Sequence, residues 1–198
     1  MAKCGVDDPP IFRTGAVVRR RDFLAGMVVA AGVPAPLAAQ VLPLYGTSHE
    51  GKPIAMEDVP GWKLVYFGYT QCPDICPMGL QNMADALAAL GPLGERITPV
   101  FISVDPERDT PAILKDFVSY FHPRTVGIAP SPAQLQALAP AWRIKYARAE
   151  TGQGRPYAVD HTSTIILVHP SGLAVGRFSH TLEGKDLADR VRAAVLKR

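Results

Sequence analysis

The chain has 198 residues, of which 47% are hydrophobic and 20% charged, a composition that excludes a disordered protein and fits one globular domain. Its 19 prolines and 17 glycines follow no period, which excludes collagen-like and low-complexity structures. The net charge is +3, of which residues 1–39 hold +2 (five basic against three acidic side chains), so the rest carries only +1 and binding to nucleic acid is not expected.

Residues 1–39 have the order of an export signal. Arg20 and Arg21 precede an apolar run of about eleven residues, 23–33, whereas a membrane-spanning helix needs roughly 20. Residues 34–39 then supply two prolines, which stop a helix, and small residues typical of a cleavage site. The segment RRDFL at 20–24 resembles a twin-arginine signal, whose cargo crosses the membrane folded.

We therefore predict a signal segment, 1–39, followed by an exported, periplasmic domain, 40–198. Two alternatives remain open for the leader. Leu37 is not an ideal residue for cleavage after Ala39, so the segment could instead stay as a membrane anchor, which would be the protein's contact with the membrane. It could also be the short amphipathic start of a cytosolic protein. Cys4 would be lost on cleavage, and we assign it no function.

Beyond the leader, the hydrophobic pattern predicts short strands that alternate with helices. The predicted strands cover residues 63–69, 97–104, 125–128, 144–149, 163–169 and 173–178, with a further strand or hairpin within 54–59. The predicted helices cover residues 77–90, 111–121, 132–140 and 183–197. Thr110 is the predicted N-cap of the second helix, and Pro140 should end or kink the third.

This order of elements predicts one α/β domain with a thioredoxin-like fold. Its central mixed sheet is expected to be flanked by helices, and the chain contains no internal repeats. In such a domain, a reactive cysteine pair is expected on the loop between the first core strand, 63–69, and the helix that follows it.

The remaining two cysteines, Cys72 and Cys76, lie on that loop, four residues apart. A helical turn brings residues at this spacing together, and a helix N-terminus favours a thiolate over a thiol. An exported thiol pair is expected either to cycle as a disulfide or to hold a metal, and thiolates are soft ligands that select Cu(I) or Zn. We predict a redox-active pair or part of a metal site, the alternative being two ordinary core cysteines.

A metal would need at least one more ligand. The chain offers five histidines: His49, His122, His161, His169 and His180. Spacing alone favours His161, which lies just before a predicted strand, but it does not exclude the others, because a lone histidine is usually only a polar residue.

Three segments resemble the signatures of the Sco/SenC family of cytochrome c oxidase assembly proteins. They are YFGYTQCPDICP at residues 66–77, FISVDPERDTP at 101–111 and DHTS at 160–163. The resemblance spans about residues 42–198 in the family's order. Three motifs in one chain are far more specific than the Cys-x-x-x-Cys spacing by itself.

The resemblance implies a thioredoxin-like fold that binds copper, as Cu(I) or Cu(II), through Cys72, Cys76 and His161. It implies a metallochaperone rather than an enzyme, with three kinds of partner: the copper-site subunit of a terminal oxidase, a copper donor and a thiol reductant. The alternative is a thiol–disulfide oxidoreductase that reduces the cysteines of that copper site. His161 separates the two hypotheses, because thiol exchange needs only the thiols.

Other side chains near the motifs have two interpretations each. Asp74 either tunes the thiols or is a solvated loop carboxylate. Asp105, Arg108 and Asp109 either form an ion-paired loop beside the site or cap the next helix, and we favour the cap. Asp160 either orients His161 or points away from it. The aromatic residues of segment 66–69 are expected in the core and in the lining of the site.

Overall fold

The computed structural model describes residues 41–152 and 157–197. The predicted signal segment, 1–39, and most of the loop predicted at 151–156 lie outside these residues, so the domain boundary at residue 40 stays a prediction. Among the described residues, none of the helices combines the length and the apolar composition that crossing a membrane requires.

The described part of the chain forms nine strands and four α-helices. The strands are β1 Tyr45–Ser48, β2 Pro53–Ala55, β3 Trp62–Gly68, β4 Ile97–Ser103, β5 Val126–Ala129, β6 Tyr146–Ala149, β7 Ala158–His161, β8 Thr164–Val168 and β9 Ala174–Ser179. The helices are α1 Ile75–Leu90, α2 Pro111–Phe121, α3 Pro132–Trp142 and α4 Gly184–Leu196, with 3₁₀ turns at Met56–Asp58 and Gly91–Arg96.

Seven strands form a mixed sheet in the order β2-β1-β5-β4-β3-β8-β9. The central strands β3, β4 and β5 are parallel, and the outer strands pair antiparallel. Every residue of β3 and β4 is buried, which explains why both are predominantly apolar and do not alternate; the exceptions are Lys63, Thr98 and Ser103. The predicted mixed sheet and thioredoxin-like fold are confirmed.

Consecutive residues of β3 point to opposite faces of the sheet and so define its two layers. Tyr66 lies against Gly79 of α1 and stacks with Phe101, which in turn contacts Phe117 of α2. Helix α4 packs on α1, so these three helices cover one face. Phe67 points the other way and meets Trp142 of α3 edge to face at 5.4 Å.

Helix α1 begins at Ile75, two residues before the predicted start at Pro77. Asp74 is the N-cap, and its carbonyl accepts the Met78 N–H. Pro77 is therefore the third helical residue, a position where its missing N–H has no intrahelical partner to lose. This shift puts Cys76 on the first turn of the helix instead of in the preceding loop.

The expectation that Pro140 ends or kinks α3 is wrong about the end, since the helix continues to Trp142. The Trp142 side chain is fully buried and donates from Nε1 to the carbonyl of Pro43 at 2.5 Å. Burial of a tryptophan outweighs the helical bond that Pro140 removes. The helix ends at Arg143, whose φ of 53° is left-handed.

The strand β7, like β1, is a further difference from the sequence prediction. It pairs antiparallel with β6 in a separate two-stranded sheet, and His161 is its last residue rather than a residue of a loop. Tyr146 of β6 is the register partner of His161. A hairpin that stands apart from the main sheet thus carries the candidate third ligand.

Candidate metal centre

The two cysteines lie at the junction between β3 and α1, at the carboxyl end of the parallel strands. Cys72 lies in the loop and is 7% exposed, whereas Cys76 lies on the first turn of α1 and is fully buried. Gly68, the last residue of β3, makes room for this arrangement. A Cβ atom on Gly68 would lie 2.7 Å from Cys76 Sγ, so the strand can pass the thiol only as glycine.

The structure brings His161 to the cysteines. Its Nε2 lies 3.3 Å from Cys76 Sγ, and the two sulfurs and an imidazole nitrogen all lie within 4.8 Å of one another. The other nitrogen, Nδ1, lies 3.2 Å from the carbonyl oxygen of Thr162, which directs Nε2 toward the sulfurs. One thiol from a loop, one thiol from the first turn of α1 and an imidazole from the hairpin form one cluster, in which Cys76 and His161 are 85 residues apart in sequence.

The two thiols are electrostatically unequal. The pKa of Cys72 is lowered because the Cys76 thiol, the His161 side chain and the backbone N–H groups of Asp74 and Cys76 hydrogen-bond to its sulfur, and these bonds outweigh burial. The pKa of Cys76 is raised because its proton is held in the bond to Cys72 and because its sulfur is buried. These opposite directions favour a thiolate on Cys72 and a thiol on Cys76 in the reduced pair.

Two tyrosines of the first motif line the cluster, as the sequence predicts for its aromatic residues. Tyr66 and Tyr69 both meet the His161 ring edge to face, at centroid distances of 6.3 and 5.8 Å. Burial, together with the nearby sulfurs, raises the pKa of both phenols, so they stay protonated and can donate. Phe67 is a core residue, as predicted, and lies on the opposite face of the sheet against α3.

The loop 105–109 supports the cysteine loop, and the preferred interpretation of its acids as helix caps is wrong. Thr110 caps α2 by accepting the Ile113 N–H, as predicted. Asp109 is instead fully buried and accepts bonds from the backbone and hydroxyl of Thr70 and from the Ser103 hydroxyl. Thr70 is two residues before Cys72, so this carboxylate fixes the start of the cysteine loop.

Exposure to solvent decides between the two interpretations of Asp160 and of Asp74. Asp160 is exposed, and the Nδ1 contact of His161 goes to a backbone carbonyl, so Asp160 does not orient the imidazole. Asp74 is the exposed N-cap of α1 and contributes through its backbone N–H, which lies on the Cys72 sulfur, rather than through its carboxylate. This backbone contribution agrees with the expectation that a helix N-terminus favours a thiolate.

Two sulfurs and one imidazole nitrogen form a soft donor set. Such a set suits Cu(I) or zinc far better than magnesium or calcium, which prefer oxygen ligands. Among the described residues, this is the cluster of histidine, cysteine and acidic side chains with metal-ligand geometry. The same two sulfurs are also close enough to exchange electrons as a dithiol, so the geometry supports metal binding and thiol chemistry alike.

Comparison with known proteins identifies the family. The model of the SCO1/SenC family matches residues 40–196. The chain is 36% identical over 147 residues to the mitochondrial SCO2 homolog of Bos taurus, and 34% identical over 150 residues to the mitochondrial SCO1 homolog of Homo sapiens. These matches cover 73% and 74% of this chain but 55% and 50% of those proteins, so the chain spans about half the length of these relatives.

Solved structures give the same result. The copper-bound ScoI of Arabidopsis thaliana matches 79% of this chain and 98% of its own, with a TM-score of 0.74 and 32% identity. The copper-bound ScoI of Bradyrhizobium japonicum matches 77% and 97%, with a TM-score of 0.69 and 33% identity. The family resemblance of the three sequence motifs is thereby confirmed: the chain belongs to the SCO1/SenC family.

Proposed function

We propose that this protein binds copper through Cys72, Cys76 and His161 and delivers it to the binuclear copper site of a terminal cytochrome c oxidase. The observation that carries the proposal is the 3.3 Å approach of His161 Nε2 to Cys76 Sγ, beside a second sulfur. An imidazole aimed at two thiols completes a soft site that Cu(I) favours. The copper-bound ScoI structures with the same fold support copper as the cargo.

In the reduced pair, one of the two cysteines is already suited to bind a metal. Metal binding requires thiolates, and the lowered pKa of Cys72 supplies one at neutral pH. The raised pKa of Cys76 means that loading releases its proton. Cys76 is fully buried, while Cys72 is 7% exposed and His161 half-buried, so a ligand from a donor or acceptor protein meets those two first.

The second candidate function is reduction of the oxidase's own cysteines, and the lowered pKa of Cys72 favours it. The Cys72 thiolate would attack a partner disulfide and release one partner thiolate. Cys76, after losing its proton, would attack Cys72 Sγ and release the second. The partner would gain two thiols, and this chain would be left with a Cys72–Cys76 disulfide that a separate thiol reductant must reduce.

The variant His161→Ala separates the two functions. It should keep the fold and still reduce a test disulfide, but lose at least about tenfold in Cu(I) affinity. His180→Ala is the matched control, since His180 Nδ1 also lies against a backbone carbonyl, that of Ser163, and His180 does not belong to the cluster with the cysteines. Unchanged copper binding and normal oxidase assembly in His161→Ala, with failure only in Cys72→Ser or Cys76→Ser, would make the protein a reductase.

Export is the setting proposed for this activity. The twin-arginine pattern at residues 20–24 supports transport of the folded domain to the periplasm. Replacing Arg20 and Arg21 by lysine should block export of a folded reporter fused after Gln40. Unchanged export would contradict the twin-arginine route.

A further inference from the structure

His161 lies on a hairpin that does not pair with the main sheet. Within the described residues, β6 and β7 pair only with each other and share no ladder with the seven-stranded sheet. Residues 162–163 tie one end of the hairpin to β8, and contacts between the hairpin and the neighbouring loops hold the rest of it, with the imidazole 3.3 Å from Cys76 Sγ. The guanidinium of Arg108 lies where these segments meet.

Arg108 touches three segments at once. Its Nη1 donates to Gln71 Oε1 at 3.1 Å, next to Cys72 in sequence, and to the Tyr157 carbonyl at 2.9 Å, just before β7. Its Nε donates to Asp105 Oδ2 in the loop that precedes α2. Asp105 Oδ1 in turn accepts a hydrogen bond from the Tyr157 hydroxyl at 2.8 Å, which gives the loop a second link to the residue just before β7.

Stacking reinforces these bonds. The Arg108 guanidinium carbon lies 3.7 Å from the centre of the Tyr157 ring and 5.6 Å from that of Tyr69. The Tyr69 ring meets the His161 ring edge to face at 5.8 Å, so Arg108 is one ring away from the imidazole. The Arg108 and Asp105 side chains are only 15% and 4% exposed, which makes their pairing far less screened than a surface ion pair.

We propose that Arg108 is a positioning residue of the copper site: it holds the hairpin that carries His161 against the loop that carries Cys72. The inference rests on the proposed copper function and names the residue that sets the third ligand in place. Arginine is required because a lysine could neutralise Asp105 but could not bond to Gln71 and Tyr157 and stack on a ring at the same time.

The test uses Arg108→Lys, which keeps the charge opposite buried Asp105 and so avoids leaving that carboxylate unpaired. Tyr157→Ala is the second variant, because it removes the ring and leaves the ion pair in place. Arg192→Lys is the matched control. Arg192 also pairs with an aspartate three residues earlier, Asp189, and donates to a backbone carbonyl of another element, that of Ala89, but it lies on α4.

Two measurements on the full chain decide the question. The first is Cu(I) affinity, by competition with a chromogenic chelator, in a double-mutant cycle with His161→Ala. Arg108→Lys and Tyr157→Ala should each weaken Cu(I) binding about tenfold, but less than about twofold when His161 is already alanine. The second is hydrogen exchange of the reduced, metal-free protein, in which both variants should speed exchange at β6 and β7 and not at β3 or β4.

The outcomes are distinguishable. If His161→Ala weakens binding while Arg108→Lys and Tyr157→Ala match Arg192→Lys, the positioning role is overturned and the proposed function stands. Equal losses with and without His161 would also overturn it, since Arg108 would then act on the cysteines or on the fold in general. If His161→Ala has no effect on Cu(I) affinity, the proposed ligand set fails, yet hairpin exchange still decides whether Arg108 holds the hairpin: unchanged protection there overturns the inference.

Discussion

At the scale of single residues, the site depends on an inequality between two identical side chains. Cys72 lies in a loop that directs backbone N–H groups at its sulfur, whereas Cys76 is fully buried on the first turn of α1. The hydrogen bond between the two side chains lowers the pKa of Cys72 and raises that of Cys76, so the shared proton stays on Cys76. The same inequality serves both candidate functions, because a standing thiolate can begin either metal capture or disulfide attack.

This inequality predicts the pH dependence of alkylation. Because the pKa of Cys72 is lowered, its reaction with iodoacetamide in the reduced, metal-free protein should continue well below the ordinary thiol value of about 8.5. Cys76 should stay unmodified. Mass spectrometry after short pulses across a pH series measures both. In Cys76→Ala, which removes the side chain that donates to the Cys72 sulfur, the largest cause of the lowered pKa is gone and the Cys72 profile should move to higher pH. Identical profiles in the two proteins would refute this explanation.

Gly68 gives a second prediction at this scale. In Gly68→Ala, the added Cβ would lie 2.7 Å from Cys76 Sγ and 2.9 Å from the Phe101 ring, so something must move. We expect a loss of about 1–3 kcal/mol in the free energy of unfolding, as for other overpacked cores, together with weaker Cu(I) binding. Urea unfolding and chelator competition measure the two effects.

Gly127→Ala is the control for Gly68→Ala. Gly127 lies on β5, away from the cysteines, and its added Cβ would meet only side-chain atoms of His49 and Val118 at 3.3 Å and of Leu114 at 3.4 Å. It should cost less stability and leave copper binding unchanged. Equal behaviour of the two variants would show that the tight passage of β3 beside Cys76 is not required.

At the scale of elements, the loops after β3 and β4 act as a pair. Asp109, from the second loop, receives two bonds from Thr70 in the first, at the start of the cysteine segment. Burial raises the pKa of Asp109 against the opposing effect of its hydrogen bonds. The ionised Asp109 carboxylate therefore lowers the free energy of unfolding at neutral pH, although it fixes the loop.

The pH dependence of the contribution of Asp109 to the free energy of unfolding can be tested. A carboxyl whose folded-state pKa is raised stabilises the fold fully below its unfolded pKa of about 3.9 and loses that contribution as the pH rises through the folded value. The free energy of unfolding of the wild type, relative to Asp109→Asn, should therefore fall between pH 4 and pH 7 in urea titrations. A difference that grows with pH would mean that the hydrogen bonds from Thr70 and Ser103 prevail over burial. Asp116→Asn, which removes an exposed carboxyl of α2, controls for the loss of one negative charge.

The sequence predicts the central elements well because their signals are local. β3 and β4 are predominantly apolar runs, and Thr110 and Pro111 mark the start of α2 within two residues. β7 has no such signal: its four residues are mixed in polarity, and its partner β6 lies across a loop. The extension of α3 past Pro140 depends on a contact of Trp142 with Phe67, 75 residues away, which no local pattern records.

At the scale of the whole molecule, the fold brings together segments that are far apart in sequence and have no common local sequence signal. The cysteines follow from the strand–helix junction, which the sequence predicts. His161 could be selected from five histidines only through the resemblance of the DHTS segment, because its approach to Cys76 is set by a hairpin outside the main sheet. An ion-paired loop beside the site is one of the two interpretations that the sequence allows for Arg108 and Asp109, but their bonds to Tyr157 and Thr70 join distant segments and have no local signal.

The central claim is that one copper ion is held by two sulfurs and one imidazole of this chain. X-ray absorption at the copper edge of the Cu(I)-loaded full chain measures this directly. Two sulfur scatterers at about 2.2–2.3 Å and one nitrogen scatterer at about 2.0 Å are predicted, by analogy with metal–thiolate and metal–imidazole distances. His161→Ala should lose the nitrogen and keep both sulfurs. A shell with three or more sulfurs, or a spectrum unchanged in His161→Ala, would contradict the assignment.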